Sequence, residues 1–337
     1  MPWEWPANYT SSELWHALVV PLSRHVIKGF VWYQGEANSE LSRPGSTQSG
    51  WCNLCLAGNV SCTAAVKTQC KSPANPVADG RTYLCSFTAM VKAWRQLWRK
   101  NTGSSTAALP FGWVQLNSWG QPDGPRGRPP NSRPAQLRNG TDDPVGAWTL
   151  GFPSVRWAQT QSLSTVPDSF QAVVLDTPSP SGAIHSCFKQ PVGARLARGA
   201  LAVAYGRPKL HIATAVSAAR RVGTDQLAVT VANTSGATLT VRASLGFVVL
   251  VAREWHSAPI VLCDGRQTLT LALPNATAGA ALLALRYLWT NTPCGGGTFS
   301  CPVYVSVPKL GTLTGENNTL PLSPAMISIQ DEAVDLL

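Results

Sequence analysis

The stretch VWYQGEAN, residues 31–38, carries an apolar run directly into four residues of a different kind, Gln34, Gly35, Glu36 and Asn38. The apolar run predicts a buried strand over 26–33. The side-chain amide of Gln34 has N–H donors that suit the stabilisation of a developing oxyanion, and Gly35 lets a substrate approach the backbone closely. A polar turn that only ends the strand is the alternative interpretation.

Strands alternate with helices up to residue 206. The periodicity predicts, in chain order, a helix over 12–20, strand 26–33, helix 86–100, strand 111–116, helix 154–165, strand 170–176 and helix 189–205. This alternation predicts an α/β fold with a parallel sheet flanked by helices. Ligands of such sheets bind beyond the carboxyl ends of the strands, which is where the cluster at Gln34 falls.

The pattern changes after residue 206. Short runs with period two follow one another, LAVTV (227–231), TLTVRA (238–243) and TLTLAL (268–273), and they predict a smaller antiparallel β domain. The sequence thus predicts an α/β domain over 1–206 with a cysteine-rich insertion at about 41–80. A β-sandwich-like domain over 207–305 and an irregular tail over 306–337 are predicted to follow.

Composition restricts the class of protein. The 337 residues are 44% hydrophobic and 13% charged, which is typical of a globular protein. No uninterrupted apolar run reaches the length of about 18 residues that a membrane-spanning helix needs. The net charge of +10 comes from scattered Lys and Arg residues without a nucleic-acid-binding motif, so we expect a solvated basic surface and no nucleic-acid partner.

Cysteines and glycosylation sequons indicate an oxidising compartment. Five of the nine cysteines are closely spaced, namely Cys52, Cys55, Cys62, Cys70 and Cys85. Six Asn-x-Ser/Thr sequons begin at Asn8, Asn59, Asn139, Asn233, Asn275 and Asn317. Together they predict a secreted or lysosomal protein. The pairing of the early cysteines stays open, because disulfides could hold the insertion or its first four cysteines could bind zinc.

A second polar cluster follows the strand predicted over 170–176. Asp176 ends that strand, and His185 follows in a loop of small residues just before a helix. An accessible loop histidine can act as a general base, and a carboxylate such as Asp176 can orient and stabilise the imidazolium. The alternatives are a plain surface histidine and an acidic residue that caps the loop.

Several blocks of the chain occur in the order in which they occur in a known family. They are IKGFVWYQGEANSE (27–40), YLCSFTAMVKAWR (83–95), PFGWVQL (110–116), VRWAQT (155–160), SPSGAIHSCFKQPVGARLARGALAVAYG (179–206) and ALRYLWTNTPC (284–294) with CPVY (301–304). These blocks resemble those of the sialate O-acetylesterases, which are SGNH-type esterases. The resemblance covers nearly the whole chain and implies an SGNH-hydrolase-like sheet.

The resemblance implies roles for individual residues. His185 matches the catalytic histidine, the base for a serine nucleophile, and Gln34 with Gly35 matches the segment that lines the oxyanion site. Glu36 and Asn38 belong to the same substrate-binding block. Cys294 and Cys301 match a cysteine pair that forms a disulfide in the family.

Two positions near the histidine depart from the family pattern. Many SGNH enzymes place an aspartate three residues before the histidine, but this chain has Gly182 there, so Asp176 is a less direct match for the third triad member. Ser186 replaces the proline that usually follows His185.

The nucleophile motif is the largest departure. The family's serine lies in a G-[QD]-S-N-M-type turn upstream of the 27–40 block, and no such turn occurs in the sequence. Ser179 and Ser181 are poor substitutes, because neither lies in a strand-to-helix elbow. We therefore expect a chain that begins after the nucleophile segment and its signal peptide, with a sheet incomplete at its N-terminus and little or no esterase activity.

Two functions remain open at this point. The resemblance implies carboxylic-ester hydrolysis that removes O-acetyl groups from sialic acids or related acetylated glycans by serine nucleophilic catalysis. That chemistry needs no cofactor and no metal. The alternative is a catalytically inactive glycan-binding homologue or a truncated isoform.

Overall fold

The fold is known from a computed structural model, which describes residues 14–39, 80–103, 109–119, 152–207, 214–232, 237–252, 254–275, 279–295, 297–306 and 319–329. The predicted cysteine-rich insertion at 41–80 lies outside the described residues, except for its last residue, Gly80. Its disulfide and zinc interpretations therefore stay predictions.

A three-stranded parallel sheet forms the centre of the N-terminal part. Its strands are β1 (Phe30–Trp32), β2 (Phe111–Val114) and β3 (Ser169–Ala172), in the spatial order β1-β2-β3. β1 and β2 pair in parallel with Trp32 opposite Trp113. The carboxyl ends of all three strands therefore lie at one edge of the sheet, which we call the carboxyl edge.

Helices cover both faces of this sheet. They are α1 (Val20–Leu22), which continues a π-helical turn (Trp15–Val19), α2 (Gly80–Thr102), α3 (Phe152–Thr165) and α4 (Lys189–Val203). Side chains of α2 and α3 share one apolar core with Phe111 and Trp113. Side chains of α4 share a second core with Val114 and Phe170. The predicted α/β class and its parallel sheet are confirmed.

The apolar stripe of α2 explains where this helix packs. Trp94 and Trp98 lie one turn apart, and their rings stack with centroids 5.9 Å apart. Phe30 of β1 meets the ring of Trp98 edge-on at 4.8 Å. Aromatic pairs in this geometry stabilise a core beyond the area that they bury, so the tryptophans serve the packing of the helix on the sheet.

Antiparallel sheets build the C-terminal part. The strands are β4 (Val216–Val222), β5 (Gln226–Val231), β6 (Leu239–Val241), β7 (Phe247–Val251), β8 (Glu254–Ser257), β9 (Ile260–Cys263), β10 (Thr268–Ala272), β11 (Ala284–Tyr287), β12 (Val303–Ser306), β13 (Thr319–Pro321) and β14 (Ala325–Ser328). In the described part of the chain their orders are β4-β5-β10-β9, β14-β11-β7-β8 and β13-β12-β6. One apolar core with Leu227, Val249 and Leu285 joins them. The predicted antiparallel region is confirmed.

Two short strands lie within 306–337, where the sequence predicts an irregular tail. β13 pairs with β12, and β14 pairs with β11 with Ala325 opposite Tyr287. Both are edge strands of their sheets, and Pro321 is tolerated at such an edge. Strands this short are specified by the partner strand, which the local sequence does not reveal.

A disulfide joins Cys294 and Cys301, as the family resemblance implied. Both cysteines are buried in the core of the antiparallel sheets. The bridge closes the segment between β11 and β12. Cys85 is exposed and has no disulfide partner among the described residues.

The ring of Phe170 fills a slot between β2 and α4 that only glycine leaves open. A Cβ atom at Gly112 or at Gly199 would overlap this ring, which is buried. Gly193 lies on the same helix, but a Cβ atom there would meet nothing within 4 Å. The two glycines at the slot therefore set how closely α4 approaches the sheet.

Gly199→Ala is expected to lower the free energy of unfolding by about 1–3 kcal/mol, because the added methyl group displaces Phe170. Gly193→Ala is the control on the same helix, and it is expected to be neutral or to stabilise by up to about 1 kcal/mol, because alanine is the better helix former. Denaturant unfolding of both variants measures the difference. Equal free energies of unfolding for the two variants would show that the ring of Phe170 does not require glycine at position 199.

Candidate active site

The chain turns sharply at Gly35, just beyond the carboxyl end of β1. The backbone of Gly35 has φ +139°, and a Cβ atom there would lie 3.2 Å from Cδ2 of Leu116 and 3.3 Å from Nε2 of Gln159. The amide of Asn38 donates to the Gly35 carbonyl at 3.1 Å and begins a 3₁₀ turn. Glycine is therefore needed both for the backbone conformation and for the close approach of β2.

The Gln34 side chain lies on this turn and is held by Asn38. Its Nε2 donates to Oδ1 of Asn38 at 2.6 Å. The backbone carbonyl of Gln34 accepts two hydrogen bonds, from the hydroxyl of Tyr83 at 3.2 Å and from Nε2 of Gln159 at 3.2 Å. The structure thus brings together Gln34, Gly35 and Asn38. The role of Gln34 as an oxyanion donor stays a prediction.

Gln159 of α3 bridges the ends of two neighbouring strands. While its Nε2 donates to Gln34, its Oε1 accepts the backbone N–H of Leu116 at 2.9 Å. The residue is buried, so both polar ends of the amide need the partners that they have. Sequence reasoning assigned no role to Gln159 or to Tyr83, although both lie in blocks of the family resemblance.

The end of β2 holds the beginning of the loop that carries His185. Asn117 donates from Nδ2 to the carbonyl of Thr177 at 2.6 Å, and Ser118 donates from its hydroxyl to the carbonyl of Leu175 at 2.7 Å. Both side chains are buried. Sequence reasoning also missed these two residues, whose partners lie about sixty residues further along the chain.

Arg156 of α3 joins the carboxyl edge to the antiparallel part. Its guanidinium is fully buried and donates to four backbone carbonyls, those of Leu116 at 2.9 Å, Asn117 at 2.6 Å, Thr290 at 2.6 Å and Asn291 at 2.9 Å. Burial lowers the pKa of Arg156 to about 9, so the side chain is still charged at neutral pH. The loop after β11 is thereby fixed against the end of β2.

The carboxylate of Asp176 forms a salt bridge with Arg195. Arg195 of α4 donates from Nη1 to Oδ1 at 2.6 Å and from Nη2 to Oδ2 at 2.9 Å, and the hydroxyl of Tyr304 donates to Oδ2 at 3.2 Å. The carboxylate is fully buried. Among the described residues none of its hydrogen bonds involves His185. Its proposed part in orienting the imidazole stays a prediction, and the contact seen ties α4 to the end of β3 and to β12.

His185 is exposed in the loop between β3 and α4. The residues on either side anchor it, because Ile184 packs against the core of α2 and α3, and the hydroxyl of Ser186 accepts the N–H of Phe188 at 3.2 Å. Glu36 is half-buried on the turn after β1. The predicted site residues thus lie on two loops that both leave the carboxyl edge.

Tyr33 connects these loops. Burial, together with the charge of Glu36, raises the pKa of Tyr33 to about 12, and the Asn117 side chain offsets part of this rise. Asn117 in turn holds Thr177, at the start of the His185 loop. Tyr33 therefore interacts both with Glu36 of the first loop and with Asn117, which holds the start of the second.

The described part of the chain contains neither a metal-binding cluster nor a membrane-spanning helix. There, no group of three or more His, Cys, Asp and Glu side chains is placed to hold a metal ion. None of the helices described is long and apolar enough to cross a membrane. The carboxyl edge carries an exposed histidine on one loop and the side-chain amide of Gln34 on the other, residue types that serve acyl-transfer chemistry.

In overall fold the chain is similar to a carbohydrate acetylesterase from Xanthomonas citri. The TM-score is 0.60 at 24% sequence identity, and the match covers 93% of this chain and 53% of that one. This likeness places the chain in the fold class of that enzyme. No family model matches the chain.

In sequence the chain is similar to sialate O-acetylesterases. It is 28% identical to the mouse protein over 84% of this chain, 27% identical to the rat protein over 85%, and 25% identical to the human protein over 95%. The resemblance expected from the sequence blocks is confirmed. The chain spans 43% of the length of the mouse and rat proteins and 50% of the human protein.

Gln159→Glu is expected to destabilise the protein by about 1–3 kcal/mol at neutral pH. The carboxylate can accept from Leu116 but cannot donate to the Gln34 carbonyl. Burial raises the pKa of a carboxyl group. At and below about pH 4 the carboxyl group is protonated in both the folded and the unfolded state, so no stability is lost there. The loss of stability appears as the pH rises and the unfolded state ionises first.

Denaturant unfolding at pH 4 and pH 7 measures this effect. Gln161→Glu, on the same helix but without a bridging contact, controls for the added charge and is expected to show little dependence on pH. A loss of equal size for Gln159→Glu at both pH values would rule out the missing donor as its cause.

Proposed function

We propose that this chain serves carboxylic-ester hydrolysis of the SGNH type, removing O-acetyl groups from sialic acids or related acetylated glycans. One observation carries the proposal: the Gln34 turn and the His185 loop leave the same edge of a parallel sheet. Such edges are where open α/β sheets bind ligands. Similarity to sialate O-acetylesterases over most of the chain supports the substrate class.

In this mechanism His185 is the base. Its imidazole takes the proton of a serine hydroxyl while that oxygen attacks the acetyl carbonyl. N–H donors of Gln34 and of the backbone stabilise the tetrahedral oxyanion, and His185 returns the proton to the sugar oxygen as the ester bond breaks. Water then enters by the same route and releases acetate. Every group needed apart from the serine and the water is a side chain or backbone amide of the carboxyl edge.

The serine is the component that this sequence does not supply in the expected motif. Ser179 and Ser181 are the serines nearest before His185, and their hydroxyls lie 3.0 Å from each other. Without a serine poised for attack, His185 can still activate a water molecule directly. General-base activation of water by a positioned histidine contributes about 10²–10⁴-fold.

Acetate release from a 9-O-acetylated sialic acid tests the proposal on the purified chain. We expect slow release above the uncatalysed rate, which His185→Ala lowers by about 10²-fold or more. His25→Ala is the control, because His25 is also exposed but precedes β1 at the opposite end of the strand. Release that is the same in wild type and His185→Ala would refute hydrolysis by this site.

A glycan-binding function without hydrolysis is the second candidate. Retention of the chain on an immobilised O-acetylated sialoglycan, with no acetate released, distinguishes this function from hydrolysis in the same assay.

A secretory or lysosomal location accompanies the proposal. It is supported by the buried Cys294–Cys301 disulfide and by the sequon at Asn275, whose side chain is exposed. Expression through the secretory pathway of mammalian cells is expected to yield a chain that loses mass on enzymatic removal of N-glycans. An Asn275→Gln variant is expected to show a smaller loss of mass, and an unmodified wild-type chain would argue against this location.

A further inference from the structure

An exposed lysine lies beside the Gln34 turn. Lys189 is exposed, and its Nζ lies 4.3 Å from the centroid of the Tyr33 ring. Tyr33 directly precedes Gln34, and Lys189 follows His185 by four residues. The ammonium group is therefore held close to the first of the two loops of the candidate site, by a side chain from the first residue of α4, directly after the second loop.

The aromatic ring under this ammonium group is well fixed. Tyr33 packs against the core formed by α4 and the sheet. A cation over a tyrosine ring at this distance is attracted by the ring. The lysine consequently has fewer conformations to lose when it binds a ligand.

In the part of the chain that the structure describes, Lys189 has no ion-pair partner, and the salt bridge found there is that of Arg195 with Asp176. Glu36 also lies near Tyr33, where its charge acts on the tyrosine hydroxyl. Among the described residues beside Tyr33, Glu36 is acidic and Lys189 is basic, so Lys189 is the place where the charge of an anionic ligand is favoured.

We propose that Lys189 binds the carboxylate of an anionic sugar, so that the site selects acetylated sialic acids over neutral acetylated sugars. This inference rests on the proposed function. Sialic acids carry a carboxylate that is ionised at neutral pH, whereas acetylated hexoses carry no charge. A charge-assisted hydrogen bond from the ammonium group separates the two classes without any contact to the reacting ester.

A pair of ligands that differ only in charge tests the inference. The ligands are the methyl glycoside of N-acetylneuraminic acid and the methyl ester of its carboxyl group, and the measurement is an NMR titration of the full chain. We expect the acid to bind more tightly than the ester. Lys189→Met is expected to weaken binding of the acid by about three- to tenfold and to leave binding of the ester unchanged.

Two control variants separate the charge from the packing. Lys189→Arg keeps the charge and is expected to keep the preference for the acid. Lys28→Met removes a lysine of the same kind, whose Nζ lies 5.3 Å from the centroid of the exposed Tyr205 ring, and it is expected to change neither affinity. Thermal unfolding of all variants checks that each is folded.

The outcomes distinguish this inference from the proposed function. Equal binding of acid and ester by the wild type, or an equal loss of both in Lys189→Met, overturns the role of Lys189, while His185-dependent acetate release leaves the hydrolase proposal standing. Binding of neither ligand, together with no acetate release, overturns both.

Discussion

A buried cation holds the carboxyl edge and the antiparallel sheets in one arrangement. The guanidinium of Arg156 donates to the carbonyls of Leu116 and Asn117 on one side and of Thr290 and Asn291 on the other. A charge inside a protein is tolerated only when its donors are paired. Separation of the two carbonyl pairs would leave it unpaired, so the end of β2 has little freedom to move away from the loop after β11.

The same end of β2 fixes the candidate site. The N–H of Leu116 binds Gln159, which also binds the end of β1, and the side chain of Asn117 binds the beginning of the His185 loop. Buried amides thus crosslink the three strands, while His185 and Lys189 remain exposed on the frame that these crosslinks build. A rigid frame that carries exposed polar groups on its loops is the usual design of a binding or catalytic site.

The sequence predicted those parts of the fold that depend on local periodicity. The stripe of Phe87, Trp94 and Trp98 specified α2, and the apolar run before Gln34 specified β1, because both patterns repeat within a few residues. The strands β13 and β14 escaped prediction, since each is short and is defined by pairing with a distant strand.

For the site, sequence could select residue types but not partners. His185 and the Gln34 turn were found from their positions after predicted strands and from the family resemblance. Asp176 was predicted to orient the imidazole of His185, and this role stays a prediction; what the structure adds is that its buried carboxylate is paired with Arg195 from the following helix. Burial requires that such a carboxylate have a cation or several donors, but which donor reaches it depends on how α4 packs.

The sequence by itself determined the alternation of strands and helices up to residue 206, the glycine after β1 and the positions of the histidine and cysteines, because these follow from local pattern or from family blocks. Only the tertiary structure decided that Gln159, Asn117 and Arg156 hold the edge together. Their partners are forty or more residues away along the chain. Contacts of that range are set by the packing of the sheet and its helices, which no short stretch of sequence encodes.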